Sequence, residues 1–216
     1  MTLDPHELLS TTRSVRRHLD RTRDVPLEVV LDCLRVAQQA PNGADAETWR
    51  FVVVRDPGRR AAIGDCYRRA NADFAATVAE RAVAGEAWAA RKLASSGVFW
   101  EHLGEVPVLV VAGVEDQGEL DGSPYGLASA YASVLPAVWS LQLAARLRGV
   151  GSCLVTSHLR VADEVTGLLG LPPTFRHAGM VALGYLTKER FRPAPRRPLS
   201  EIVRLDHWEG VLPEQP

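Results

Sequence analysis

The chain has 216 residues, is 46% hydrophobic and 24% charged, and sets 25 Lys and Arg against 26 Asp and Glu for a formal net charge of −1. This excludes a disordered tail or a fibre and provides apolar residues enough for one core without disulfide staples. The near-neutral balance also argues against a dedicated nucleic-acid binder, which must neutralise many phosphates.

Residues 1–7 are acidic and lack the apolar core of a secretory signal. A helix is expected over 26–40, opened by Pro26, with Leu27, Val30, Leu31, Leu34 and Ala37 on one face. Pro41-Asn42-Gly43 ends it, and the β-branched run 49–54, closed by Asp56-Pro57-Gly58, reads as a buried strand. Residues 59–100 are helical in period, with breaks expected at 71–73 and 84–85. A second strand is expected over 108–112 and a loop over 115–124.

The stretch 125–145 carries no charge and belongs to a helix expected over 125–148. Its Pro136, Gln142 and serines fit a buried helix better than a membrane span. A helix apolar all round needs cover on every side, and in a domain this small a partner subunit is the simplest cover. Strands over 152–156 and 178–186 flank a short helix over 161–169, and a Pro-rich arm follows from 188. The alternation describes a single layered domain over 1–216, α/β or α+β, with its core over 8–187 and an arm over 188–216.

No Walker A loop, G-x-S-x-G elbow or H-E-x-x-H pair occurs, and the six histidines show no ligand spacing, so no metal site is expected. Cys33, Cys66 and Cys153 form no C-x-x-C pair and read as buried thiols of a reducing, cytoplasmic compartment. Gly149-Val150-Gly151 follows a helix and precedes a strand, the reverse of a dinucleotide fingerprint, and reads as a helix stop. Two basic segments, Arg13-Ser14-Val15-Arg16-Arg17 and Arg192-Pro193-Ala194-Pro195-Arg196-Arg197, suit phosphate oxygens and equally suit solvated surface charge. The background is Arg-biased, since Lys92 and Lys188 are the only lysines.

The order of segments adds a further reading. Thr11-Thr12-Arg13-Ser14-Val15-Arg16-Arg17, the run from Ala40 through Trp49-Arg50-Phe51, Gly149-Val150-Gly151-Ser152-Cys153, Leu168-Leu169-Gly170-Leu171-Pro172, Gly184-Tyr185 and Arg196-Arg197-Pro198-Leu199 together resemble the FMN-dependent nitroreductase family. The resemblance implies a nitroreductase-like fold of the α+β class, three-layer α/β/α, with a central mixed sheet, a long buried dimer-interface helix, a C-terminal arm, and a homodimer sharing its flavin sites. It implies that Arg13, Ser14 and Arg16 hold the FMN phosphate and ribityl chain, that Arg196 closes on the same phosphate, and that Pro41, Asn42 and Gly43 border the flavin. Backbone N–H groups at Thr156 and Ser157 would reach the flavin N5 and O4 edge, and Arg16 would favour the reduced anion.

The chemistry implied is hydride transfer from NADH or NADPH through the flavin to a nitroaromatic, quinone or similar flat aromatic acceptor, with no membrane or nucleic-acid partner. Such chemistry needs positioning and polarisation and no protein nucleophile. The same fold resembles that of iodotyrosine deiodinases, peptide oxidases and dimethylbenzimidazole synthases, so a different flavin reaction stays open, as does a flavin-binding or flavin-free protein without turnover. Departures from the family pattern include Asp45, Glu47 and Thr48 in place of Asn, Gln and Pro ahead of the Trp, Thr12 where many members have Arg, and Ala194 where some have Lys. Buried and ionised, the two acids would oppose the charge of a reduced flavin; pointing to solvent, they would be neutral.

Overall fold

A computed structural model describes residues 3–213 apart from 117, 119 and 189. Residues 189 and 214–216 of the expected arm therefore lie outside the described part. The elements in chain order are α1 (Pro5–Thr11), α2 (Leu27–Ala37), β1 (Trp49–Val54), α3 (Pro57–Val83), α4 (Ala87–His102), β2 (Val108–Glu115), α5 (Pro124–Leu147), β3 (Val150–Val155), α6 (Ala162–Leu169), β4 (Phe175–Tyr185) and α7 (Leu199–Ile202).

The strands form one sheet in the order β1-β2-β4-β3. Successive residues of β2 divide between two cores. Val108, Val110, Ala112 and Val114 join α2 and α5 on one face, while Leu109 and Val111 join α3, α4 and α6 on the other. A strand covered on both faces has no polar side to show, which is why β2 reads as an unbroken apolar run. The three-layer α+β arrangement is thus the one expected. The mixed sheet is corrected at the level of the four strands, whose pairings are all antiparallel. Parallel pairing among the described residues is one bridge, Ser14 to Ser152, because the N-terminal segment meets the β3 edge at a single point.

Of two helical expectations, one changes and one keeps its span. No break occurs at 71–73: Asn71 is buried in α3 and its Nδ2 donates to the Tyr67 carbonyl at 2.8 Å, so a residue that favours turns is satisfied within the helix. The break falls at residues 84–86, where Gly85 takes a φ of 87°.

The second concerns α5. It starts with Ser123 Oγ accepting from Gly126 N at 3.1 Å and Pro124 in the first turn. It buries Val134, Ala137, Val138, Leu141 and Ala145 against the sheet. Within one chain it is not covered all round, because Tyr125, Leu135, Trp139 and Leu147 form an exposed apolar stripe on its other side. It is the one described helix with the length and apolar content to cross a membrane, and its buried face is that of a core helix. The arm is similarly uncovered, with Leu199, Ile202, Leu205, Trp208 and Val211 all exposed.

Candidate functional site

The N-terminal segment after α1 is stapled along the outer edge of the sheet. Val15 N donates to Ser152 O at 2.8 Å, Asp20 N to Tyr185 O at 2.8 Å, and Thr187 N to His18 O at 3.0 Å. Two motif glycines allow this approach. A Cβ on Gly151 would lie 2.5 Å from Leu186 Cδ2 and 2.7 Å from Leu19 Cδ2, and one on Gly184 would lie 3.0 Å from the Asp20 carbonyl. Gly149, with φ 73°, is the helix stop that was expected, whereas Gly151 serves a close crossing of chains.

The crossing segment lines a cavity of about 240 Å³ with Arg13, Ser14, Arg16 and Arg17, and Ser95, Lys188 and Phe191 close it from α4 and the start of the arm. Four cations line this space and, among the described residues, no carboxylate does, an arrangement that suits an anion bound by charge-assisted hydrogen bonds. Cys153, fully buried beside it, interacts with Ser14 and Arg16, and burial pushes its thiol pKa up, so it stays a neutral thiol. Gln142 Nε2 donates to Ser152 Oγ at 3.1 Å and anchors the β3 residue that receives the N-terminal segment.

Thr156 and Ser157 follow the last residue of β3, and Ser157 opens a 3-10 turn, Ser157–Val161. Leu159 N donates to Thr156 O at 2.9 Å, which closes the turn. Tyr67 reaches this turn from α3: its hydroxyl interacts with Ser157 and lies near the Arg16 charge, and burial pushes its pKa up to about 12. Tyr67 therefore lies between Arg16 of the basic cavity and the turn, a link that no sequence spacing announces.

Arg196 is not brought to the cavity. It is exposed, and its guanidinium donates to the Pro195 carbonyl at 3.4 Å, while Arg13 meets the Arg192 carbonyl at 3.5 Å. Within one chain the basic lining from the arm is Lys188, because Phe191 packs edge-on to His18 at 6.4 Å and under Arg146 at 4.9 Å, pinning the arm's first residues there. Both lysines of the sequence are close to this site, since the Lys92 charge acts on Cys153. Their rarity is the one sequence signal that could have found them.

The loop 41–48 stands apart. Gly43 N donates to Ser133 Oγ at 3.0 Å, and Gly43 lines a different cavity of about 370 Å³ against the start of α5. Pro41, Asn42 and Gly43 are thus not joined to Arg13 and Ser14 within one chain. Ala44, Asp45 and Glu47 all have φ near 50°, and Asn42 Oδ1 accepts from Glu47 N at 3.0 Å to hold this left-handed run. Asp45 and Glu47 are exposed in the chain. Among the described residues no three His, Cys, Asp or Glu side chains gather to hold a metal.

Comparison with known proteins adds the following. The model of the nitroreductase family matches residues 9–185. The chain is 30% identical over 203 residues to the 5,6-dimethylbenzimidazole synthase of Rhodospirillum rubrum, covering 92% of this chain and 87% of that protein. It is 28% identical over 202 residues to iodotyrosine deiodinase 1 of Homo sapiens, covering 92% and 67%. Among solved structures, an oxidised iodotyrosine deiodinase bound to FMN and 3-iodo-L-tyrosine aligns with a TM-score of 0.71 at 27% identity over 94% of this chain and 99% of that one. Nitroreductase A from Vibrio parahaemolyticus shares the fold, with a TM-score of 0.70 at 14% identity over 96% and 77%.

Proposed function

The chain belongs to the nitroreductase family, and on that premise we propose that it is a cytoplasmic, homodimeric FMN-dependent oxidoreductase that takes hydride from NADH or NADPH and reduces a small flat aromatic acceptor. The observation that carries this reading is the cavity of Arg13, Ser14, Arg16 and Lys188, which offers four cations to an anion, Arg17 included, and among the described residues no carboxylate. Held there by its phosphate, FMN supplies a ring that accepts and returns hydride, so the protein needs no nucleophile of its own.

The chain's own residues supply position and charge. Arg13 and Lys188 approach the anion from opposite ends of the sequence, and the Ser14–Ser152 bridge fixes the depth at which it sits. Arg16, half-buried between the cavity and Cys153, favours negative charge nearby. Thr156 and Ser157 present their turn at the end of β3, with Tyr67 setting the side-chain direction of Ser157. The turn is short and rigidly closed, which suits a positioning role.

A second copy is part of the proposal. The exposed stripe of Tyr125, Leu135 and Trp139 on α5 and the apolar side chains of the arm are surfaces of the kind an obligate partner covers. A partner would also bring a second 41–43 loop toward the basic cavity, which the loop of the same chain does not line. A second reading keeps FMN and changes the reaction to that of a deiodinase or a benzimidazole synthase, since these relatives reach 28–30% identity over 92% of the chain.

A visible spectrum of the purified protein tests the reading. A yellow protein bleached by NADPH or NADH supports the reductase. A yellow protein that neither pyridine nucleotide bleaches favours the second reading, and a colourless one that does not take up added FMN overturns both.

A further inference from the structure

A second basic cavity, of about 690 Å³, opens where α5 ends and β3 begins, and it shares no lining residue with the cavity of Arg13 and Lys188. Arg146 and Arg148 reach it from the end of α5, Arg23 from the segment that crosses the sheet edge, and Arg190 from the arm. Among the described residues no carboxylate lines it.

Local contacts hold these arginines without using up their donors. The Arg23 guanidinium lies 3.6 Å over the Tyr185 ring, a stack that engages the face of the group and not its N–H donors. Arg146 is 6% exposed and lies 4.9 Å from the Phe191 ring, so burial keeps one of the four charges in place. Arg148 gives one N–H to the Ala144 carbonyl at 3.0 Å, and Arg23, Arg148 and Arg190 are all exposed. Arginines elsewhere in the chain are compensated: Arg21, Arg50, Arg55 and Arg176 each pair with a carboxylate. Among the described residues Arg23, Arg148 and Arg190 form no such pair. The Asp20 charge acts on Arg23 from beyond ion-pair range, its Oδ1 taken up by Thr22 and by the Arg23 backbone N–H, and the Glu7 charge acts on Arg146. Like charges gathered in this way repel one another, and a bound anion removes that cost.

The number and type of the cations select the anion. A guanidinium fork meets two oxygens of a phosphate at once, and several forks around one cavity match more than one phosphate. The volume exceeds what a bare anion fills, and Leu147, Leu186 and Tyr185 give an attached organic group a small apolar wall. We propose that this cavity is a second anion site, which takes a diphosphate group, either free or carried by a nucleotide. Its residues are not those assigned to FMN, so it stands apart from the flavin reading.

The test is calorimetric titration of the purified protein, saturated with FMN to fill the first cavity, with pyrophosphate, ADP, AMP and adenosine. The expected result is one diphosphate per chain, AMP weaker by about tenfold or more, the worth of one charge-assisted contact, no binding of adenosine, and affinity that falls as NaCl is raised. Tighter binding of ADP than of pyrophosphate assigns the site to a nucleotide, and the reverse assigns it to the free anion. Repeating the titration on Arg13→Ala without FMN keeps the first cavity out of the result whether or not flavin binds. Arg23→Gln and Arg190→Gln should each weaken ADP by roughly tenfold, with FMN uptake as the check that the variants fold. Failure of both diphosphates to bind, AMP bound as tightly as ADP, or unchanged affinity in the Arg23→Gln, Arg190→Gln double variant would overturn the proposal. The selectivity of the parent decides the matter even if a variant fails to fold.

Discussion

His158 offers the sharpest quantitative test, because its burial joins the chemistry of one ring to the turn that carries Thr156 and Ser157. The ring is fully buried, and burial together with the neighbouring His177 pushes its pKa down from 6.5 to about 4. In the unfolded chain the same imidazole takes its proton near 6.5. Between these values the unfolded state binds more protons than the native state, so native stability is complete above about pH 6.5 and falls as the pH drops toward 4. At pH 5 the loss attributable to His158 is about 2 kcal/mol, and at pH 4 about 3 kcal/mol. His158→Phe keeps a ring in the same space, removes two buried nitrogens without partners, and cannot titrate. Urea unfolding of parent and variant at pH 7.5 and pH 5 should show the variant at least as stable at pH 7.5 and less sensitive to acid by about 2 kcal/mol. Bound FMN should leave the parent at a higher pH than it leaves the variant, since protonation expels the residue that seats the turn. Equal acid sensitivity in the two proteins, within about 0.5 kcal/mol, would refute the assignment of the proton to this ring.

Arg13→Ala should weaken FMN on the order of tenfold, the worth of one charge-assisted bond, and Lys188→Ala should weaken it more than Arg196→Ala does; flavin fluorescence titration measures all three. Gly151→Ala should cost about 1–3 kcal/mol in chemical denaturation, because the new methyl meets Leu186 and Leu19 at 2.5 and 2.7 Å, and it should loosen the Arg13–Arg17 segment enough to lower FMN retention. Light scattering at micromolar concentration should show the parent with the mass of the proposed dimer and Trp139→Arg, on the exposed stripe of α5, with that of a monomer; an unchanged mass would place the interface elsewhere.

Much of this molecule is local in origin, and local chemistry is legible in a sequence. The run 49–54 is the strand β1 as expected, and α2, α5, α6 and the other three strands fall within a few residues of the periodic segments that announced them. Each is set by an apolar period and by a stop such as Gly149 or Gly170, which act on their own neighbours. That Arg13, Ser14 and Arg16 line one cavity follows from a short segment and one sheet edge. What the sequence could not settle are the pairings across long separations. Lys188 rather than Arg196 lines the cavity because Phe191 finds His18 and Arg146, and nothing in the spacing of the arm encodes that packing. Gly151 reads as part of a helix stop and Gly184 as one residue of a strand in one dimension, and both prove to be contact points of strands with the crossing N-terminal segment. The buried histidines at 158 and 177, each unremarkable alone, acquire depressed basicity only when the 3-10 turn and β4 bring their rings to 5.6 Å in a closed interior. Desolvation is a property of the surrounding volume, and that volume exists only after the tertiary structure has closed.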